Sequence, residues 1–375
     1  METQPPLPQL IYLDLNHWIN LSKARLGQEA GAYTNLLEEL RAAVGAGRSV
    51  VPLSSTHYME ISRIASAQRR ADLAFVMGEV SRYVALTSRE VVLRYQFRRS
   101  LAQELDVKYA MPPPPTTGHG YSHAFGQPPQ EWHRLTPTVR RAFAVNFAAF
   151  VAGVEKEAGY GWTFIPSGKA TTSLELVDEV LDATAQFQML MGPADKQDPQ
   201  LLRYGYDPTK AYEVIDRITA READLAEQLA ADPKWLRRLD DIIEGRALVW
   251  DLNEDWHKAV TDVWHARAIS MDEFGMERLH RIVSGIPIVD IESAIRHANF
   301  STSNHKWKKN DIHDSDFAGS AVTYCDVVLT ERHLQTQLVR QGIDRKYRTI
   351  VLSSPEDLIA HLRSSVPKSS EKVGR

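Results

Sequence analysis

The chemistry this sequence offers first is carboxylate chemistry. Asp311, Asp314, Asp326 and Glu331 fall within one stretch that reads as a helix followed by a buried strand. Asp311 and Asp314, at i and i+3, share one helical face, and Ala318 and Ala321 continue that face as small packing residues. Asp326 opens the apolar run Val327-Val328-Leu329, and Thr330-Glu331 closes it. Near the N-terminus, the apolar run Leu10-Ile11-Tyr12-Leu13 ends on Asp14, and Ser54-Ser55-Thr56 is an N-cap cluster opening a helix with His57 and Glu60. Carboxylates gathered from such elements could hold Mg2+ or Mn2+, hard ions that take oxygen ligands and keep several waters. Such ions activate water and stabilise a leaving oxygen in phosphodiester hydrolysis. Without a cation, acids this close would repel one another and some would stay protonated.

Blander roles compete with each of these. Asp311 and Asp314 could simply cap a helix, where an acid near the N-terminus gains about 0.3–1 kcal/mol. Asp14, beside Asn16, could shape a turn, and many exposed helices carry a residue like Glu60. No His-Glu-x-x-His occurs and Cys325 is the single cysteine, so neither a zinc motif nor a disulfide framework is available. His313-Asp314 could belong to an HD-type phosphohydrolase, but the further histidines that fold needs are not patterned here.

Immediately before Asp311 runs the tract His305-Lys306-Trp307-Lys308-Lys309. Its cations could hold phosphates while Trp307 stacks on a base. Asn16 and His57 are further candidates for contact with a nucleic acid, and Arg63, Arg69 and Arg70 could widen the basic rim.

The elements that must position these residues follow from the apolar pattern. Leu10–Leu13 and Val50–Leu53 read as buried strands, each followed by a helix, which suggests a parallel sheet. Tyr33–Val44 is amphipathic through Leu36, Leu37, Leu40 and Val44. From Arg69 to about Glu104 the pattern is helical throughout, and Asp106–Thr136 is a loop rich in Pro and Gly. Amphipathic segments follow near Thr138–Glu157, Leu174–Met191, Pro208–Ala231, Pro233–Gly245 and Ala247–Ser270, with Trp250, Trp256 and Trp264 expected in their core. After a helix over Asp290–Asn299 and the acidic stretch come a helix Arg332–Gln341, a strand Thr349–Leu352 and a last helix Pro355–Leu362.

Bulk properties narrow the class. The chain has 375 residues, enough for two domains or one with a large insertion. A formal net charge of -4 gives no general pull toward nucleic acid or anionic lipid, so any such contact must come from local basic patches. The apolar run Ala142–Val154 is broken by Asn146 and is shorter than the ~20 residues a bilayer span needs. The opening residues lack the basic and apolar regions of a signal peptide, and a cytoplasmic location without membrane association is expected.

Taken together, Tyr12-Leu13-Asp14-Leu15-Asn16, the helix entry Pro52 through Glu60, Asn310-Asp311-Ile312-His313-Asp314, Tyr324-Cys325-Asp326 and Thr330-Glu331 resemble the PIN-like nucleases. The resemblance implies an α/β fold, a PIN-like α/β/α sandwich with a parallel sheet, here interrupted by an all-helical insertion. Residues 1–88 and 285–365 would form its two halves, 89–284 the insertion and 366–375 a disordered tail. It further implies Mg2+ or Mn2+, RNA as substrate, and the family's first three acidic positions at Asp14, Glu60 and Asp314. Where the family has an Asp two residues after a Thr, this chain has Arg332, so either Glu331 or Asp326 would take the fourth place. A non-catalytic binding module, a DNA-directed nuclease, and a partner surface or self-association through the insertion are the alternatives.

Overall fold

Successive apolar residues without alternation, as in Leu10–Leu13 and Val327–Leu329, are what a strand covered on both faces requires. A computed structural model describes residues 7–127, 173–193, 210–247, 252–264, 274–302 and 305–364, with the single residues 195 and 199. The segment expected over 138–157, the Pro128-Pro129 end of the loop, Trp250 and the tail from Pro367 lie outside the described residues. In chain order the elements are β1 (Gln9–Leu13), α1 (Leu15–Arg25), α2 (Tyr33–Gly45), β2 (Ser49–Val50), α3 (Ser55–Arg63), α4 (Ala67–Ser81), β3 (Val84–Leu86), α5 (Arg89–Glu104), β4 (Thr117–His119) and α6 (Gly120–Ala124). There follow α7 (Ser173–Met191), α8 (Lys210–Ala231), a 3₁₀ turn (Pro233–Arg238), α9 (Leu239–Ala247), α10 (Asn253–Trp264), α11 (Met276–Ser284) and α12 (Pro287–Phe300). The last are α13 (Lys309–Tyr324), β5 (Val327–Leu329), α14 (Arg332–Arg340), α15 (Ile343–Tyr347), β6 (Ile350–Leu352) and α16 (Pro355–Ser364).

The main sheet is four-stranded and parallel, in the order β2-β1-β5-β6. Its centre pairs the two ends of the chain, with Ile11 opposite Val327, Tyr12 opposite Val328 and Leu13 opposite Leu329. The period-two alternation sends Ile11, Leu13, Val327 and Leu329 into one core with residues of α1, α2, α4 and α16. Tyr12 and Val328 face the other way, into a core with Ile291, Ile295, Phe317, Ala321 and Leu334 from α12, α13 and α14. The sheet is therefore covered by helices on both faces, as the apolar strands require.

Two local readings change. The run Val50–Leu53 does not form one strand: only Ser49 and Val50 pair with β1, and Pro52 brings no N–H for a ladder. Leu53 instead crosses to β3, accepting from Leu86 N–H at 2.7 Å and donating to the Val84 carbonyl at 2.8 Å. The stretch Arg69–Glu104 is not helical throughout either. Arg82 and Tyr83 both take left-handed backbone conformations (φ 51 and 56) that end α4, and β3 then pairs antiparallel with β4 inside the expected loop.

Beyond the sheet, α5, α10 and α11 enclose a separate core through Phe97, Leu101, Trp256, Val260 and Ile282. Trp256 is buried there against Phe97 and Phe274, as a core tryptophan should be. No helix among the described residues is long and apolar enough to cross a membrane. Where α5 meets α12, the fully buried carboxylate of Glu292 is clasped by Arg89 through bonds of 2.6 and 2.7 Å. Removing one partner of a buried pair strands the other charge, which costs about 3–5 kcal/mol. Arg89→Ala should therefore destabilise by about 3 kcal/mol in urea unfolding, and adding Glu292→Leu should recover most of that loss. Equal stability of Arg89→Ala and the parent would contradict this account.

Candidate carboxylate site

The carboxyl ends of β1 and β5 lie side by side, and the residue that follows each strand is acidic or hands on to an acid. Asp14 N–H donates to the Leu329 carbonyl at 2.9 Å, continuing the ladder one residue beyond the strands. Thr330, fully buried, donates its hydroxyl to Asp14 Oδ2 at 3.4 Å, and Glu331 accepts from the Asn16 side-chain amide. Backbone N–H groups of Leu15 and Asn16, the start of α1, also face the Asp14 carboxylate.

Glu60 reaches the same place because α3 is tied to β1. Ser54 N–H donates to His57 Nδ1 at 3.0 Å, so the ring hydrogen belongs on Nε2, which donates to the Leu13 carbonyl at 2.9 Å. The Tyr12 ring stacks on His57 at 5.0 Å and on Phe317 at 5.2 Å, and its hydroxyl meets Ser54 Oγ at 2.9 Å. One aromatic side chain thus sets α3 and α13 against the same strand. From α13 comes Asp314, one turn before Phe317. Asp311 lies a turn earlier, where its Oδ2 accepts the Lys308 N–H at 2.6 Å and stands 3.3 Å from His305 Nε2.

Asp14, Glu60, Asp311, Asp314 and Glu331 line a single cleft of about 810 Å³. Arg63, His305, Lys306, Lys308 and His333 supply its basic wall, with Asn16, Thr302 and Asn310 between. Burial is the main cause of raised acid pKa values here, and mutual repulsion adds to it. The Asp14 carboxyl is pushed up to about 6, by burial and then by Glu331. Glu60 is pushed up to about 8 by burial and Asp14, against the nearby Arg63. Asp314 also rises to about 8, through burial and then Asp14, Glu331, Glu60 and Asp311. Among the described residues no three His, Cys, Asp or Glu side chains are grouped closely enough to hold a metal ion as placed. Glu331 is turned onto Asn16 and Asp311 onto the end of its own helix, so the acids share a cleft while their oxygens point to different partners.

Not every residue expected at the site is there. Asp326 sits at the opposite end of β5, where its Oδ2 accepts the Leu10 N–H at 2.8 Å. Four residues of strand, about 13 Å, separate it from Thr330. It secures the start of β1 and cannot share a cation with Asp14. His57 is wholly buried and both ring nitrogens are engaged, so it positions α3 and touches no ligand. Trp307 is buried against Phe300 at 4.8 Å, beside Ile215 and Ile312, which leaves no face for a base. Lys309 pairs with Asp216 of α8 and lies outside the cleft lining, whereas Lys306 and Lys308 belong to it.

Of the arginines, Arg63 lines the cleft and its Nη1 lies 2.6 Å from His313 Nε2. Arg70 instead is buried, bonded to the carbonyls of Ile64, Ala65, Met191 and Pro193, and serves the fold. His333 and Thr302 were not foreseen. His333 follows Glu331 by two residues in the first turn of α14, a proximity visible only once Glu331 is placed.

Comparison with protein-family profiles, with curated proteins and with solved structures finds no match to this chain.

The raised carboxyls make a prediction about pH. Glu60 and Asp314 hold protons in the folded chain up to about pH 8, whereas unfolded carboxyls lose theirs near their ordinary values of 4.5 and 3.8. The folded state then binds more protons, so stability falls as pH rises through that window. His17, His57 and His313, lowered to about 4 by burial, act in the opposite sense, but only below their ordinary 6.5. In chelator, the melting temperature should fall from about pH 6.5 to 8.5, and Glu60→Gln with Asp314→Asn should flatten that slope. An equally steep slope in the double variant would contradict the assignment. Separately, His57→Ala should cost about 2–4 kcal/mol in urea unfolding, from a cavity plus a stranded Leu13 carbonyl. A loss below about 1 kcal/mol would remove its tethering role.

Proposed function

We propose that this chain is a divalent-cation-dependent nuclease of PIN-like fold that hydrolyses phosphodiester bonds, with RNA as its substrate. One observation carries the reading: Asp14, Glu60, Asp314 and Glu331, drawn from opposite ends of the chain, line one cleft with a basic wall. It lies at the carboxyl ends of adjacent parallel strands, where open α/β sheets receive ligands. The donors are all carboxylate oxygens, and Cys325 is buried elsewhere, at the far end of β5, so the set suits Mg2+ or Mn2+. Glu331, next to Thr330 and beside Asp14, is the better candidate for the fourth acidic position, since Asp326 is remote.

In this reading Asp14, Glu60, Asp314 and Glu331 hold the cation, and Asp311 fixes the start of α13. Held by these acids, a divalent ion would supply water activation and charge stabilisation of the leaving oxygen. Lys306, Lys308 and Arg63 bind the backbone phosphates flanking the scissile bond, and so orient it toward the acids. Positive charge nearest the acids also favours their ionised form, readying them for the cation.

A second reading is a nucleic-acid or protein-binding module that keeps this scaffold without catalysis. It is favoured by the wide placement of the acids, with no three grouped as ligands among the described residues. A panel of labelled single-stranded RNA and DNA, with Mg2+, Mn2+ or chelator, separates these cases. We expect RNA cleavage only with a divalent ion, falling by about a hundredfold or more in Asp14→Asn and in Asp314→Asn, as loss of several kcal/mol of charge stabilisation implies. Cleavage of DNA alone would move the substrate, and strand binding without any cleavage would favour the second reading.

A further inference from the structure

A second cavity, of about 250 Å³, is built entirely from the helical part of the chain, between α8, α9 and α12. Along α8 its lining runs i, i+3, i+4, i+7 and i+8 from Val214, the stripe a helix normally fills with apolar residues to bury against its neighbours. Here the stripe contains Arg217, Arg221 and Glu222, while Arg246 comes from α9 and Arg296 from α12. Four guanidiniums therefore face one cavity, and Glu222 is the one carboxylate lining it among the described residues.

Glu222 is buried and already committed. It accepts from Arg246 Nη1 at 2.8 Å and stands 3.8 Å from Arg296 Nε. Arg296 Nε–H is itself buried with no hydrogen-bond partner among the described residues. The nearest other acid to Arg296 is Glu292, at 3.8 Å, and Arg89 already engages both oxygens of that carboxylate. Arg217 is exposed at the mouth and makes no ion pair among the described residues. A fully structural network would give each buried donor an acceptor, because a stranded one costs stability. Among the described residues this cavity is instead lined by more guanidiniums than carboxylates, and the Arg296 Nε–H has no acceptor.

We propose that this cavity is a phosphate-binding site. Planar guanidinium forks match the tetrahedral oxygens of a phosphoryl group through paired N–H···O bonds. The volume equals about eight liquid waters at ~30 Å³ each, which is room for an inorganic phosphate or pyrophosphate. The four apolar lining residues close the sides, so an anion there would sit in a medium that strengthens its ion pairs.

The same helix runs to the carboxylate cleft. Tyr212 of α8 lies under Arg63 of the cleft wall at 5.4 Å, and its hydroxyl meets Ser62 Oγ at 3.1 Å. At 1.5 Å per residue, Arg221 is about 13 Å further along the helix than Tyr212. That is about four nucleotides of a stacked strand at 3.4 Å each. A strand entering the cleft could thus leave one of its phosphates in this cavity, and a free phosphorylated compound is the other source of the same group.

The test is calorimetric titration of the full chain with pyrophosphate in chelator, which keeps any divalent ion from bridging pyrophosphate to the acids of the cleft. The variants, changed only at this cavity, separate its binding from that of the basic wall. Saturable binding by the parent is expected, at least tenfold weaker in Arg217→Gln/Arg221→Gln and measurably weaker in Arg217→Gln alone, with melting temperatures unchanged. Absence of binding by the parent, or equal binding by parent and both variants, overturns the site. A single-stranded oligonucleotide that displaces pyrophosphate identifies the strand as the source, and one that does not identifies a free phosphorylated ligand; either retains the site. None of these readouts involves cleavage, so the site stands or falls separately from the proposed nuclease activity.

Discussion

The parallel pairing of β1 with β5 is the interaction on which the rest depends. It joins residues more than three hundred positions apart, with Leu13 opposite Leu329 and the Asp14 N–H on the Leu329 carbonyl. A slip of β1 by one residue against β5 would turn Ile11 and Leu13 out of one core and into the other while Val327 and Leu329 stayed in place. It would also carry Thr330 and Glu331 away from Asp14. Asp326 secures the pairing from the opposite end by accepting the Leu10 N–H. The aromatic contacts of Tyr12 then hold α3 and α13 to the strand that this pairing fixes.

Against that scaffold the acids are a local liability. Burial and like charge push Asp14, Glu60 and Asp314 toward protonation at neutral pH. A chain selected only for stability would put neutral groups there, since pKa values perturbed by both burial and like-charge neighbours cluster at functional sites. The rigid supports close by are neutral: a buried imidazole, a tyrosine hydroxyl and a threonine hydroxyl orient the backbone around the acids without adding charge. Polar support of this kind leaves the charge of the cleft to its acids and to the basic residues beside them, Arg63 next to Glu60 and His305 next to Asp311.

Much of this was legible because it depends on short-range pattern. Uninterrupted apolar runs marked β1 and β5, and an acid or Thr-Glu at the end of each marked the crevice. The N-cap cluster at Ser54 located the start of α3. What could not be read depends on which way a side chain turns. Asp326 and Glu331 look alike in sequence, yet they sit at opposite ends of a strand only three residues long. Trp307 lies in a basic tract and looks available, but Phe300 and a residue of α8 more than ninety positions earlier bury it. His57 carries a proton-transfer side chain, but two backbone groups use it up. The break at Arg82-Tyr83 was hidden because neither residue is a glycine, the usual sign of a left-handed backbone. The arginine stripe of α8 keeps helical spacing with charged residues, so an apolar count passes over it.

We propose that this pairing assembles one cation site from both ends of the chain, and crystals grown with Mn2+ test that most directly. Anomalous scattering should locate manganese in the cleft, about 2.0–2.2 Å from an Asp14 oxygen and from at least one oxygen of Glu60, Asp314 or Glu331. Manganese bound elsewhere, or a cleft whose acids keep the partners seen here at saturating Mn2+, would contradict it.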